Sequence, residues 1–536
     1  GKVRRRALSA TLARQGPGRS MSATLPAARP AYRPQAAGVT AGRPADRVPT
    51  DGMPVTMVPV MTRPTTLGEL RLAGWESVPV VEELRRNAVA RIRSGEPMFP
   101  TVLGYEDTVI PQLENALLAG HDVIFLGERG QAKTRLIRSL TGLLDEWMPI
   151  VAGSEINDDP YGPVSRHARD LVAEMGDDTP LGWVHRDDRY GEKLATPDTS
   201  IADLIGEVDP IRVAEGRYLS DELTIHYGLV PRTNRGLFCI NELPDLSERI
   251  QVGLLNVLEE RDVQIRGHRI RLPLDVVMFA SANPEDYTNR GRIITPLKDR
   301  FGSQIRTHYP LDPDVEMDIV DQEATIPVVD GLDVVVPDFM SRVVVAITHE
   351  ARRSPHLNQR SGVSVRVSIA NQEALAASAV RRAVRSGEAV AVPRVSDLDA
   401  LAASMAGKVE IDSIDDDRDG EILDRIVRAA LLGVFREVVP GELHRGVVEA
   451  FEEHDGVSVG VSVGEAIGSG AYAEVAAGIP ALATAVTVLL GDEPGGGDPP
   501  PALVASAVEL VLEGLHLSKR LNKETTGRGS RYRIRA

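Results

Sequence analysis

The stretch GERGQAKT, Gly127 to Thr134, puts a lysine and a hydroxyl residue behind a glycine-bearing turn. It departs by one residue from the phosphate-binding pattern G-x-x-x-x-G-K-[ST], because Ala132 stands where the second glycine belongs. In such a loop the backbone N–H groups and the positive end of the following helix bind phosphate oxygens. Lys133 would then reach the β- and γ-phosphates, and the Thr134 hydroxyl would hold Mg²⁺. The candidate nucleotide-contacting residues are Gly127, Glu128, Arg129, Gly130, Gln131, Ala132, Lys133, Thr134 and Arg135. The plain alternative is a glycine-containing turn with a chance Lys-Thr pair.

Four further stretches complete a chemistry. LFCINELPDL is an apolar run ending in Asn241-Glu242, where a P-loop ATPase places its second acidic motif, usually Asp-Glu. Glu242 can polarise an attacking water as general base. Asn241 can orient a magnesium-bound water through its carbonyl but brings no charge. FASANPEDY offers Asn283, whose amide can fix the water near the γ-phosphate. TPLKDRFG offers Arg300 and SGVSVRVSIANQEAL offers Arg366, with Arg360 as its competitor. A guanidinium suits developing phosphoryl charge because it is always ionised and forked. Arg366, opening a helix, would contact the γ-phosphate and report its loss.

These residues need strands to carry them and helices to follow. DVIFLG, GLFCINE and DVVMFASANP read as short buried strands, with Lys133–Trp147 predicted as the helix after the loop. A helix is also predicted over Thr108–Ala119, and another over LSERIQVGLLNVLEE with Asp245 or Ser247 as N-cap. VQIRGHRIRL alternates around Gly267–His268 like a β-hairpin. Residues from about Val151 to Arg235, rich in Asp, Gly and Pro, read as a long insertion. Strands alternating with helices imply an α/β parallel sheet. The expected organisation is a disordered basic segment over 1–60, a helical segment over 61–100 and the α/β domain over 101–326. A helical lid over 327–440 follows, then a C-terminal region over 441–536 with a linker at 491–501, one last amphipathic helix and a basic tail.

Composition narrows the class. Over 536 residues, 42% are hydrophobic and 26% charged, which is globular. A single cysteine, Cys239, leaves no internal disulfide framework and suits a reducing cytoplasm. No apolar run reaches the ~18 residues of a membrane helix. Residues 1–50 hold ten Lys/Arg against Asp46 alone, so the net charge of −16 conceals a far more acidic body. That body argues against non-specific binding to nucleic acid or anionic membranes. The basic Pro-, Gly- and Ala-rich start has the composition of a transit peptide. We read it instead as an upstream artefact or floppy tail, with Met21, Met53, Met57 or Met61 as candidate starts.

The order GERGQAKT, INELPDL, SANPED, LKDRFG and SVR resembles the AAA+ ATPases. It resembles most the helix-2-insert branch of magnesium-chelatase ATPase subunits, MoxR-type ATPases and MCM helicases. The segment GEVDPIRVAEGRYLSDELTIHYGLVPRTNRG and the hairpin VQIRGHRIRL resemble the inserts of that branch. MoxR and MCM proteins commonly carry Ala before the lysine, so Ala132 fits a live loop. Asn241 is the larger departure. The resemblance implies a P-loop α/β domain followed by a helical lid, ATP and Mg²⁺ as cofactors, and a ring, by expectation a hexamer, in which Arg300 reaches the neighbour's nucleotide. It implies a cytoplasmic motor that hydrolyses ATP to remodel a partner protein or assist metal insertion. The implied partner carries a von Willebrand A domain on a separate chain, since no D-x-S-x-S motif occurs here. The alternatives are a genuine magnesium-chelatase subunit and an ATP-gated scaffold with little hydrolysis. A σ54-type activator would need a GAFTGA loop, which the sequence lacks.

Other features read blandly. Asp415, Asp417, Asp419 and Gly420 are spaced like a calcium loop, but Ile426 stands where the bidentate Glu belongs. HEARRSPH lacks the i, i+4 zinc spacing. Cys239 reads as core packing. The hairpin residues Arg266, His268, Arg269 and Arg271 are read equally as a solvated face or as a contact with a partner or a ring pore.

Overall fold

The computed structural model describes residues 63–208, 224–260, 262–264, 271–283, 291–358, 362–411, 419–451, 460–491, 498–526 and 529–534. The basic start, Asp415, Asp417, Arg360, the hairpin residues Arg266, His268 and Arg269, and most of the linker lie outside them.

Five strands form the central sheet: β1 (Val123–Leu126), β4 (Tyr190–Leu194), β5 (Gly236–Asn241), β8 (Val276–Ala282) and β9 (Ser303–Arg306). Their order is β9-β1-β8-β5-β4, and every pairing is parallel. A parallel sheet must be buried on both faces, and the side chains divide accordingly. Val123, Phe125, Leu237, Cys239, Val277, Phe279 and Ile305 enter one core with helices α1 (Val80–Ser94), α2 (Val109–Ala119) and α3 (Lys133–Ser139). Ile124, Phe238, Ile240, Val276, Met278 and Ala280 enter the other, against α4 (Glu248–Gly253), α5 (Leu255–Glu260) and α6 (Thr295–Arg300). The alternation follows from the period of two along a strand.

Several sequence expectations are corrected. The helix predicted over Lys133–Trp147 is α3 to Ser139, then a 3₁₀ turn at Leu140–Leu143, and Trp147 opens a strand, β2 (Trp147–Val151). That strand pairs antiparallel with β3 (Leu181–His185). The residues expected as one long insertion therefore contain β3 and also β4, a member of the central sheet. LSERIQVGLLNVLEE is two short helices broken after Gly253, a residue that weakens a helix interior. Ser247 sits at the N-cap position without a side-chain cap bond. The predicted hairpin is present as β6 (Asp262–Gln264) and β7 (Arg271–Pro273).

Beyond α7 (Pro313–Glu323) the chain is mainly helical. Helices α8 (Asp338–Arg353), α9 (Val365–Ser386) and α10 (Asp419–Val438) share one core with α11 (Ser469–Gly478), α12 (Pro480–Leu490) and α13 (Pro501–Leu517). Packing thus runs across both the region expected as lid and the region after it. Helix α13 is not amphipathic in its setting: Ala502 to Leu515 are all buried. Its two carboxylates are accommodated by tyrosines, with Tyr472 donating to Glu509 at 2.6 Å and Tyr532 donating to Glu513. The basic tail forms β11 (Leu521–Thr526) and β12 (Gly529–Ile534), a hairpin whose second strand pairs with β10 (Val461–Gly464). Among the described residues no single helix is long and apolar enough to cross a membrane.

Candidate nucleotide site

Parallel strands end at one edge, and that edge collects the chemistry. Leu126 is level with Ala282 on β8, and Asn241 with Leu194 on β4. The residues after these strand ends, Gly127, Asn283 and Glu242, therefore come together above the sheet. Glu242 and Asn283 border a cleft of about 990 Å³, lined also by Arg129, Lys133, Thr134 and Arg366. Clefts of this size hold ligands the size of a nucleotide.

The loop is held from within and from outside. The Gly127 N–H donates to Ala282 O at 3.1 Å. Buried Gln131 accepts through Oε1 from the Thr307 hydroxyl at 2.6 Å and from the Glu128 N–H at 3.1 Å. The Tyr105 hydroxyl donates to Gln131 O at 2.7 Å, and the Tyr309 hydroxyl to Arg129 O at 2.9 Å. Gly130 (φ +72°) lies so near Ser364, at the start of α9, that an added Cβ would fall 1.7 Å from the Ser364 Oγ. Ala132 is left-handed, φ 53°, a conformation that favours glycine. Arg135 is ion-paired with Glu323 on α7.

Lys133 is only 7% exposed. Its Nζ donates to Gly127 O, to Glu128 O at 2.9 Å and to Asn283 Oδ1 at 2.7 Å. The Asn283 Nδ2 then donates to Glu242 Oε2 at 2.7 Å. Lysine, amide and carboxylate thus form one hydrogen-bonded line. Glu242 itself is left-handed, φ 55°, the kind of strained backbone that clusters at functional positions.

The Thr134 hydroxyl faces Asn241, Oγ1 to Oδ1 at 3.4 Å, and the Ser281 hydroxyl donates to the same Oδ1 at 3.1 Å. Thr134, Asn241 and Glu242 offer only oxygens, the donor set that suits Mg²⁺. Among the described residues no group of three or more His, Cys, Asp or Glu is placed to hold a metal. A magnesium ion here would therefore depend on phosphate oxygens and water for the rest of its shell.

Arg366 lines the cleft from the first turn of α9. Arg300 does not line the cleft of its own chain; it ends α6 and is ion-paired with Glu259 on α5. Two neighbours escaped the sequence reading. Glu192, on β4, accepts from the Asn241 Nδ2 and is ion-paired at 2.8 Å with Arg138. Arg138 was legible in principle, being one helical turn beyond Thr134 on α3. Glu192 carried no signal, because only strand register brings it to Asn241.

Fold and site define an α/β protein, a five-stranded parallel sheet with the glycine-bearing loop at its carboxyl edge, followed by a helical region. No family model matches the chain, and no curated protein matches it. Among solved structures it is similar to the complex of subunits BchI and BchD of magnesium chelatase. That likeness has 20% identity and a TM-score of 0.32, over 58% of this chain and 95% of that one. It is also similar to NtrX from Brucella abortus in complex with ATP, with 13% identity and a TM-score of 0.33, over 69% of this chain and 64% of that one.

Proposed function

We propose that this chain binds MgATP in the cleft at the sheet's carboxyl edge and hydrolyses it to ADP and phosphate. Lys133 and the loop N–H groups bind the β- and γ-phosphates, and Arg366 meets the γ-phosphate from the helical region. Thr134 and Asn241 hold the magnesium ion, Asn241 through a bound water. Asn283 orients the attacking water and Glu242 takes its proton. The observation that carries this reading is the line Lys133–Asn283–Glu242, in which the phosphate-seeking cation and the candidate base share one amide.

On this reading the protein is a cytoplasmic ring motor of the magnesium-chelatase or MoxR type. Arg300 serves the neighbouring subunit, and ATP turnover remodels a partner protein, for which a von Willebrand A domain is the best candidate. Asn241 favours a second reading, an ATP-gated scaffold: an uncharged amide replaces a carboxylate in the magnesium shell, which slows hydrolysis more than it weakens binding.

Titration with a fluorescent ATP analogue, with and without Mg²⁺, tests the site. Lys133→Ala should weaken binding at least about 10-fold, as expected for loss of a charge-assisted contact. Equal binding by parent and variant would contradict the proposal.

A further inference from the structure

Glu192 occupies a place that the activity just proposed does not explain. Strand β4 runs parallel to β5 with Glu192 level with Cys239, so Glu192, Cys239 and Asn241 share one face of the sheet. The Glu192 Oε1 accepts from the Asn241 Nδ2, and its Oε2 accepts from Arg138 Nε at 2.8 Å and from the Tyr190 hydroxyl at 2.9 Å. A carboxylate only accepts, so the amide must turn its NH₂ toward Glu192 and its oxygen toward Thr134 and Ser281. One amide thus lies between a fixed anion and the place proposed for the magnesium ion.

We propose that Glu192 is the positioning residue of the magnesium site. It locks the Asn241 oxygen toward the metal and, one strand away, neutralises the Arg138 guanidinium that lines the same cleft and would otherwise repel the cation. This rests on the reading that Mg²⁺ sits between Thr134 and Asn241. It also accounts for the amide: an aspartate at 241 would face Glu192 at hydrogen-bonding distance, and two such carboxylates disfavour each other's charge.

The test is the Mg²⁺ concentration that half-saturates binding of a fluorescent ATP analogue to the full chain. It is measured for the parent, Glu192→Gln, Asn241→Asp and the double variant, with thermal unfolding as the folding control. Partners of metal ligands typically contribute 10- to 100-fold in metal affinity. Glu192→Gln should raise the half-saturating Mg²⁺ about 10-fold while leaving Mg²⁺-free nucleotide affinity unchanged. The double variant should recover parental Mg²⁺ affinity or better, a rescue that a purely structural role for Glu192 would not produce. A folded Glu192→Gln with the parent's Mg²⁺ dependence overturns the proposal. Should Glu192→Gln not fold, a folded double variant without rescue overturns it equally. A parent whose nucleotide binding is indifferent to Mg²⁺ overturns the underlying metal assignment, and this proposal with it.

Discussion

Lys133 and Asn283 are hydrogen-bonded, Nζ to Oδ1 at 2.7 Å, and the same amide donates to Glu242. The ammonium also serves two loop carbonyls. Phosphate oxygens carry charge and outcompete neutral carbonyls for such a donor. Capture of Lys133 by phosphate would therefore change what Asn283 and Glu242 bond to, linking occupancy of the loop to the hydrogen bonding of the Glu242 carboxylate.

From this linkage, Asn283→Ala should leave nucleotide affinity within about 3-fold and lower turnover by about 100-fold, the scale for loss of one preorganised polar group. Binding titrations beside single-turnover hydrolysis separate the two effects.

Loop conformation predicts opposite results at neighbouring positions. Gly130→Ala meets both a positive φ and the Ser364 side chain, so it should cost about 1–3 kcal/mol and weaken nucleotide binding. Ala132→Gly should be near neutral, within about 1 kcal/mol, because relief of the left-handed strain offsets the greater freedom of the unfolded chain. Denaturant unfolding and nucleotide affinity of the two variants check this.

Glu316 joins three helices from a fully buried position on α7. Its carboxylate accepts from Arg352 at 2.6 Å and from the Ser368 hydroxyl at 2.6 Å, and contacts His349 at 3.0 Å. Burial by itself raises its pKa, but the bonds from His349, Arg352 and Ser368 outweigh burial and hold it below the ordinary value of 4.5. A depressed carboxylate pKa contributes stability that is present above the unfolded value and lost as pH falls through the folded one. Stability should therefore decline below about pH 4.5. Glu316→Gln should cost about 3 kcal/mol at neutral pH by stranding Arg352, and flatten the acid limb. Unfolding curves across pH measure both.

Cys239, buried on β5, has its thiol pushed up to about 12, chiefly by burial. The thiolate is the reactive form, so the native protein should resist iodoacetamide at pH 8 and react fully once unfolded. As the only cysteine, it reports opening of the central sheet. If nucleotide binds this sheet, its addition should slow labelling further.

What the sequence disclosed followed from local rules. Gly127, Asn241-Glu242 and Asn283 each stand at the end of an apolar strand, Lys133-Thr134 open the helix after the first of these ends, and a parallel sheet must bring such ends to one edge. What it concealed was long-range. YGEKL has no apolar run, so β4 reads as loop until its pairing with β5 is known. Glu192 therefore could not be linked to Asn241 from sequence. Helix α13 reads as amphipathic because Glu509 and Glu513 look like a solvent face, whereas tyrosines distant in sequence bury them. Ala132 looks conformationally ordinary in sequence, yet the turn imposes a left-handed backbone on it.

On the proposed reading Glu242 drives ATP hydrolysis in the cleft. The most direct test is steady-state ATP hydrolysis by the parent and by Glu242→Gln, with nucleotide binding measured on both. Turnover is expected in the parent and a loss of about 100-fold or more in the variant, with binding retained. Equal turnover in the two proteins would contradict it.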